Sequence, residues 1–308
     1  MGPGVSTVQF GHPLPAELKP VLLVPVRFGI VLFTSDRGIG PAAAAEAAEA
    51  AGFDTFYVPE HTHIPVRRTA AHPRTGDASL PDDRYLRTLD PWVSLGAAAA
   101  RTDRIGLGTA VALPVEHDPI SLAKTIATLD HMSGGRVRLG VGFGWNTDEL
   151  ADHGIPPNRR RTALREYLGG MRALWTEEEA RYDGEFVRFE SSWAWPKPTG
   201  TVPVLLGAAG TEKNLRWIVA HADGWINTPG EHDVDARVAM LQKLWIEAER
   251  PGTPLIVLLD GKPDLERLTR WRAAGVSEVV YGMPDGSIEE ATGYLGRLAA
   301  KLTPLRNG

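Results

Sequence analysis

The chain has 308 residues, of which 43% are hydrophobic and 23% charged, with a formal net charge of −5 and no cysteine. This length suits one large domain or two ordinary ones, and the mild acidity makes no electrostatic case for nucleic acid or a membrane surface. The missing thiols exclude disulfides, thiolate metal sites and cysteine nucleophiles, and no apolar run reaches the roughly 18 residues that a membrane-spanning helix needs.

Met1–Pro20 has no basic stretch ahead of the short apolar run Val21–Val26, so no secretory leader is read. Residues 1–25 are expected to be an N-terminal arm, residues 26–308 one domain, and the location cytoplasmic. Arg27–Phe33 reads as the first strand. Pro41–Ala51 is an alanine-rich helix with proline in its first turn, closed by Gly52. Thr55–Pro59 is a second strand, Pro91–Arg101 a helix and Arg104–Leu113 a third strand. Pro119–Met132 carries apolar residues at the helical period and stops at Gly134-Gly135. Val137–Gly142 is a fourth strand and Arg159–Trp175 a helix. Strands at Val202–Gly207, Trp225–Thr228, Leu255–Asp260 and Glu278–Gly282 then alternate with helices at Glu212–Ala222, Val234–Arg250, Leu265–Ala274 and Ser287–Leu302. Eight such repeats imply a parallel sheet and favour a closed (β/α)8 TIM barrel over an open doubly wound sheet. No G-x-G-x-x-G follows the first strand, which argues against a dinucleotide fold. The long connections His61–Asp90, Trp145–Asn158 and Thr176–Thr201 are expected as insertions after strands 2 and 4 and before strand 5. Within the last, Arg181–Phe189 reads as a hairpin around Asp183-Gly184.

Chemistry in such a barrel sits at the C-terminal ends of the strands. Glu60 and His61 follow the second strand, where a histidine can act as general acid/base. His61 and His63 stand two apart and point in opposite directions, with no third ligand evident, so no metal site is expected. Gly106-Leu107-Gly108-Thr109 suggests a close backbone approach inside the third strand. Gly140-Val141-Gly142-Phe143-Gly144-Trp145 opens a glycine-spaced loop at the end of the fourth. Gly207-Ala208-Ala209-Gly210-Thr211 runs from strand to helix N-terminus, a place that suits a phosphate, and Thr228 offers a hydroxyl one unit later. Lys124 and Asp130 read as structural.

The strings Pro-Glu-His-Thr-His-Ile-Pro, Leu-Ala-Lys-Thr-Ile-Ala-Thr-Leu-Asp, Gly-Val-Gly-Phe-Gly-Trp-Asn, Trp-Ala-Trp-Pro-Lys-Pro and Ala-Asp-Gly-Trp resemble the luciferase-like oxidoreductases, in particular the branch that uses the deazaflavin coenzyme F420. The resemblance spans about residues 26–303 and implies an oxidoreductase moving a hydride between the deazaflavin C5 and a small organic substrate. It implies catalytic roles for His61 and Glu60. It implies cofactor contacts from those two residues and from Thr109, Ala110, Val111, Gly142, Phe143, Gly144 and Asn146. A phosphate clamp of Gly207, Ala208, Ala209, Gly210, Thr211 and Thr228 follows in the same way. Ala110–Val111 is where similar enzymes carry a non-proline cis peptide. Trp145 and His63 are the expected substrate-pocket residues. Family members that oxidise glucose 6-phosphate have a catalytic glutamate at the Trp145 position and a phosphate-binding lysine at the Glu231 position; both departures argue against a sugar phosphate. The flavin-using luciferases have an arginine at the Phe143 position, so phenylalanine there disfavours FMN. The alternatives are an FMN-dependent monooxygenase and a deazaflavin carrier or sensor without turnover. A homodimer is expected.

Overall fold

The structure is a computed structural model that describes residues 26–306; the expected N-terminal arm lies outside them. Its first strand, β1 (Arg27–Val31), leads to α1 (Pro41–Ala50), which ends at Gly52 with φ +82°. Next come β2 (Thr55–Val58), α2 (Pro91–Ala99), β3 (Gly106–Thr109), α3 (Pro119–Ser133) and β4 (Val137–Val141). Asp90 and Asp118 cap α2 and α3 by accepting from the backbone N–H of Val93 and Ser121. Gly134, at φ +70°, ends α3 where a side chain would be strained. Then follow α4 (Thr147–Asp152), α5 (Arg160–Thr176), β5 (Ala180–Asp183), β6 (Arg188–Ser192), β7 (Val204–Gly207), α6 (Glu212–His221) and β8 (Gly224–Ile226). The last elements are α7 (Val234–Glu247), β9 (Leu255–Asp260), α8 (Leu265–Ala273), β10 (Glu278–Gly282) and α9 (Ile288–Arg306).

Eight strands close into a parallel barrel in the order β1-β2-β3-β4-β7-β8-β9-β10. β1 joins the two ends, with Gly29 opposite Thr55 of β2 and Arg27 opposite Glu278 of β10. The expected (β/α)8 architecture is therefore the observed one. Tyr57, Leu205, Ile226, Val257 and Val280 fill the barrel interior, while a larger apolar layer packs strands against helices. The antiparallel pair β5–β6 is the expected hairpin, its turn closed by the Gly184 N–H on the Val187 carbonyl.

Two expectations on the connections are corrected. β3 is shorter than Arg104–Leu113: the ladder stops at Thr109, where the Ala110–Val111 peptide is cis, and resumes only as a bridge between Ala112 and Val141. The connection Trp145–Asn158 is not all loop, because it holds α4.

Candidate active site

Residues from five strand ends converge at the C-terminal mouth. β2 is wholly buried, and the chain leaves it through Pro59. Alternation then sends Glu60 and His61 to opposite sides. Glu60 is 4% exposed. Its Oε2 accepts the Leu113 N–H at 2.5 Å, and its Oε1 lies 2.7 Å from His117 Nε2. Both oxygens of Glu60 are thus engaged in fixing the segment that follows the cis peptide. Burial works against charge on His117, but the hydrogen bond and charge of Glu60, with Asp90, hold this imidazole above the usual histidine range.

His61 turns the other way. Its Nδ1 lies 2.8 Å from Glu149 Oε2 on α4, and the two side chains are 7% and 0% exposed. Glu149 Oε1 accepts the backbone N–H of Thr62 at 2.9 Å and of His63 at 3.4 Å, and Oε2 also accepts from Asn146 Nδ2 at 3.2 Å. Burial alone would raise this carboxyl, yet the hydrogen bonds it accepts, that from His61 foremost, hold it below the usual range. An ionised Glu149 fixes the proton of His61 on Nδ1, which leaves Nε2 as the free acid/base position. Among the described residues no hydrogen bond reaches Nε2 of His61.

Aromatic rings surround that imidazole. Tyr85 and Trp145 lie 5.5 and 5.6 Å from it, centroid to centroid. His72 packs edge-on against both, at 5.1 Å from Tyr85 and 4.7 Å from Trp145. His72 Nδ1 accepts the Arg74 N–H, so its proton sits on Nε2 and is donated to the Tyr85 hydroxyl at 3.0 Å. Burial, with the nearby charge of Arg74, keeps His72 below the usual range and neutral. The loop carrying Tyr85 is pinned to α4 by Asp148, which accepts from Thr69 N at 2.7 Å and Ala70 N at 2.9 Å. His63 lies at the rim, 41% exposed, with Nε2 3.0 Å from Asp152 Oδ2.

Val111 forms the adjoining wall. A Cβ on Gly207 would meet Val111 Cγ1 at 2.4 Å, and one on Gly142 would meet Cγ2 at 2.8 Å. The two glycines therefore form a cradle that admits this side chain after the cis Ala110–Val111 bond. Thr109 is fully buried and donates its hydroxyl to the Gly140 carbonyl at 2.6 Å. Gly144 sits at φ +74° against Leu150, where a Cβ would fall 2.9 Å from that side chain. Asn146 is 1% exposed and its Oδ1 is enclosed without a partner among the described residues. Phe143 meets Trp217 edge-on at 5.1 Å and carries the Arg161 guanidinium 4.1 Å above its ring.

The loop from Gly207 to Thr211 is fixed by its own backbone. Ala208 donates to the Ile226 carbonyl, and its carbonyl accepts the Trp225 indole N–H at 2.8 Å. The Ala209 carbonyl accepts from Thr211 N and from Asn214 Nδ2, each at 2.8 Å. A Cβ on Gly210 would meet Arg237 Cγ at 2.8 Å. Thr211 caps α6 by accepting the Asn214 N–H, and Asn214 Oδ1 accepts from Arg161 Nη2 at 2.6 Å. Thr228 stands on the adjoining loop after β8, but its hydroxyl donates to Glu231 Oε2 at 2.7 Å.

Glu149, Glu116, Tyr85, His72 and Arg161 were not among the residues expected from the sequence. Glu149 had the best signal, since Asn146-x-x-Glu149 has the spacing of a helix-start box. That pattern names a cap; the structure turns the carboxylate onto a loop 87 residues earlier.

Residues 39–262 match the family described as luciferase-like monooxygenase, and the chain belongs to that family. An uncharacterized protein of Mycobacterium tuberculosis is 69% identical over 278 residues, covering 90% of this chain and 99% of that one. An F420-dependent glucose-6-phosphate dehydrogenase of Nakamurella multipartita is 35% identical over 213 residues, 67% of this chain and 57% of that protein. In fold the chain is similar to an F420-dependent secondary alcohol dehydrogenase solved with an F420–acetone adduct, with TM-score 0.68, 18% identity, and coverage of 92% of this chain and 99% of that one.

Proposed function

We propose that this luciferase-like protein is an F420-dependent oxidoreductase in which His61 manages the proton that accompanies hydride transfer to or from a small organic substrate. The observation that carries the reading is the His61–Glu149 pair, 2.8 Å apart and walled by Tyr85 and Trp145 beside the Val111 cradle. The residues fit a flat ring with an anionic tail. Asn146 Oδ1 is a buried acceptor with no donor among the described residues, which a ring N–H would supply. Val111 offers an apolar face to the ring. The N-terminus of α6, its cap Thr211 and the Arg161 guanidinium offer positive character to the tail. Coenzyme F420, when bound, would supply two-electron hydride chemistry.

The protein's own part is orientation and proton management. In the oxidative direction a substrate hydroxyl gives its proton to His61 Nε2 while the carbon gives up hydrogen with both electrons. Glu149 stabilises the imidazolium so formed through Nδ1. In the reductive direction His61 returns that proton to the developing alkoxide. Trp145 in place of a carboxylate, and Glu231 bonded to Thr228 in place of a cation, disfavour a sugar phosphate here, in contrast to the named activity of the Nakamurella relative.

A reading with FMN as cofactor draws on Arg161. Although Phe143 is not an arginine, Arg161 stands 4.1 Å above its ring, beside the α6 N-terminus, and restores a positive charge there. We propose that the F420-dependent enzyme is a cytoplasmic homodimer, for which the exposed Trp193 and Trp195, at 74% and 62%, offer apolar surface that a second copy would cover.

The test follows deazaflavin absorbance in the presence of a panel of ketones, alcohols and activated alkenes. One member of the panel is expected to oxidise or reduce the cofactor, and His61→Ala is expected to slow that turnover by ~10²–10⁴ with cofactor affinity nearly unchanged. Wild-type turnover in the alanine variant would make His61 a packing residue and sink the assignment.

A further inference from the structure

A second carboxyl lies against the His61–Glu149 pair and has no role in the chemistry so far. Glu116 ends the 3-10 turn Pro114–Glu116 after β3 and is only 6% exposed. Its Oε2 accepts from the Thr62 hydroxyl at 3.2 Å, and Glu149 Oε1 stands 3.3 Å from the same hydroxyl. The two carboxyls thus converge on one hydroxyl. Glu116 Oε1 is enclosed, and among the described residues no donor reaches it. Two buried carboxylates gathered on one hydroxyl repel strongly, and one proton held by the pair removes that repulsion. An oxygen that itself bears the proton needs no donor, which accounts for the bare Oε1.

The Thr62 hydroxyl continues outward. It lies 2.8 Å from His153 Nε2 and 3.1 Å from His63 Nδ1, whose Nε2 meets Asp152 at 3.0 Å. His153 and His63 are both exposed. The remaining charged group nearby, Glu60, is paired with His117, and Asn146 donates to Glu149.

We propose that Glu116 and Glu149 hold one proton between them, and that Thr62 links this pair to His153 at the surface, so that His61 is backed by a proton store connected to solvent. The inference rests on the reading of His61 as the acid/base for hydride transfer. Glu116 touches no reacting atom; it is a positioning residue that acts through Glu149. The transfers balance without any further reactant. When His61 Nε2 gains a proton, the Nδ1 proton passes to Glu149. The carboxyl pair gives a proton to the Thr62 oxygen, and Thr62 gives its own hydrogen to His153 Nε2. His153 then releases one proton to water. Only N–H and O–H bonds form and break, and no electrons move. Burial and the charges of Glu149 and Glu60 push Glu116 up to about 9, in keeping with a proton retained at neutral pH.

The experiment uses the full chain without cofactor and reads histidine side-chain ¹⁵N resonances from about pH 7 to about pH 10. In the wild type, Nδ1 of His61 is expected to stay protonated, and its resonance to move in one further step near pH 9 as the shared proton leaves. Glu116→Gln should abolish that step and keep the Nδ1 hydrogen bond. Thr62→Val should keep the step but slow exchange of the Nδ1 proton with water by at least about tenfold, the equivalent of ~1.4 kcal/mol in barrier. A wild type without the alkaline step, a glutamine variant that retains it, or unchanged exchange in Thr62→Val would each overturn the proposal. The wild type and Thr62→Val decide the matter on their own if Glu116→Gln does not fold. None of these readings needs a cofactor, so failure here and failure of the F420 reading are separate results.

Discussion

Replacing Glu149 by glutamine keeps the shape of the side chain and removes its charge, and the surrounding geometry fixes what must follow. Four N–H donors converge on the two carboxylate oxygens: Thr62 N at 2.9 Å and His63 N at 3.4 Å on Oε1, His61 Nδ1 at 2.8 Å and Asn146 Nδ2 at 3.2 Å on Oε2. Glutamine offers one acceptor oxygen and one NH₂. With its oxygen toward the two backbone donors, its NH₂ faces His61 and Asn146. Asn146 can flip its amide, because its Oδ1 has no partner to lose among the described residues. His61 can accept at Nδ1 only by moving its proton to Nε2. The donors then remain satisfied, but charge-assisted hydrogen bonds become neutral ones, a loss of ~1–3 kcal/mol in all. Urea unfolding should show that loss as a lower midpoint at unchanged slope. The ¹⁵N pattern of His61 should invert, with the proton on Nε2. Turnover should then fall in the direction that needs Nε2 to accept a proton. A variant within ~0.5 kcal/mol of wild type with its proton still on Nδ1 would refute the reasoning.

Glu116→Gln should change how stability depends on pH. The Glu116 carboxyl keeps its proton to about 9 when folded, against 4.5 for the free group. Between those values the folded protein binds more protons than the unfolded chain. The stabilising contribution is therefore whole below the lower value and lost as pH rises through the upper one, at up to ~1.4 kcal/mol per pH unit. Unfolding free energies measured at several pH values should converge with, then fall below, those of the glutamine variant as pH rises; parallel curves would reject the raised pKa. Gly207→Ala places a Cβ 2.4 Å from Val111 Cγ1, so it should cost ~1–3 kcal/mol of stability by overpacking and weaken cofactor binding by displacing Val111. Gly200→Ala, with open space around its Cβ, is the control, and equal melting temperatures for the two would remove the cradle from the account.

The barrel was legible because its signals are local. Alternating apolar segments, Pro41 and Pro119 at helix starts, and Gly52 and Gly134 at helix ends each act within a few residues. α4 was hidden because it is only six residues long and is followed at once by Gly154 and Pro156. The end of β3 at Thr109 was hidden for another reason: Ala110, Val111 and Ala112 have the composition of a strand, and the room for Val111 comes from Gly142 and Gly207, which are distant in sequence. The candidate site residues could be named one at a time, from their places at strand ends. Its wiring was not. Glu60 and His61 are neighbours in sequence, yet strand alternation gives them partners on different elements, His117 and Glu149. Those contacts span 57 and 88 residues, and nothing within a window of one helix or strand announces them. Thr228 shows the same limit, since its bond to Glu231 depends on how one loop turns.

The most direct test of the central claim is a head-to-head titration of the purified protein with coenzyme F420 and with FMN, read by quenching of intrinsic tryptophan fluorescence. The cofactor assignment predicts a micromolar or tighter dissociation constant for F420, about −8 kcal/mol or stronger, and binding of FMN at least about tenfold weaker. FMN binding as tightly as F420, or more tightly, would contradict it and identify the site as that of a flavin-dependent monooxygenase.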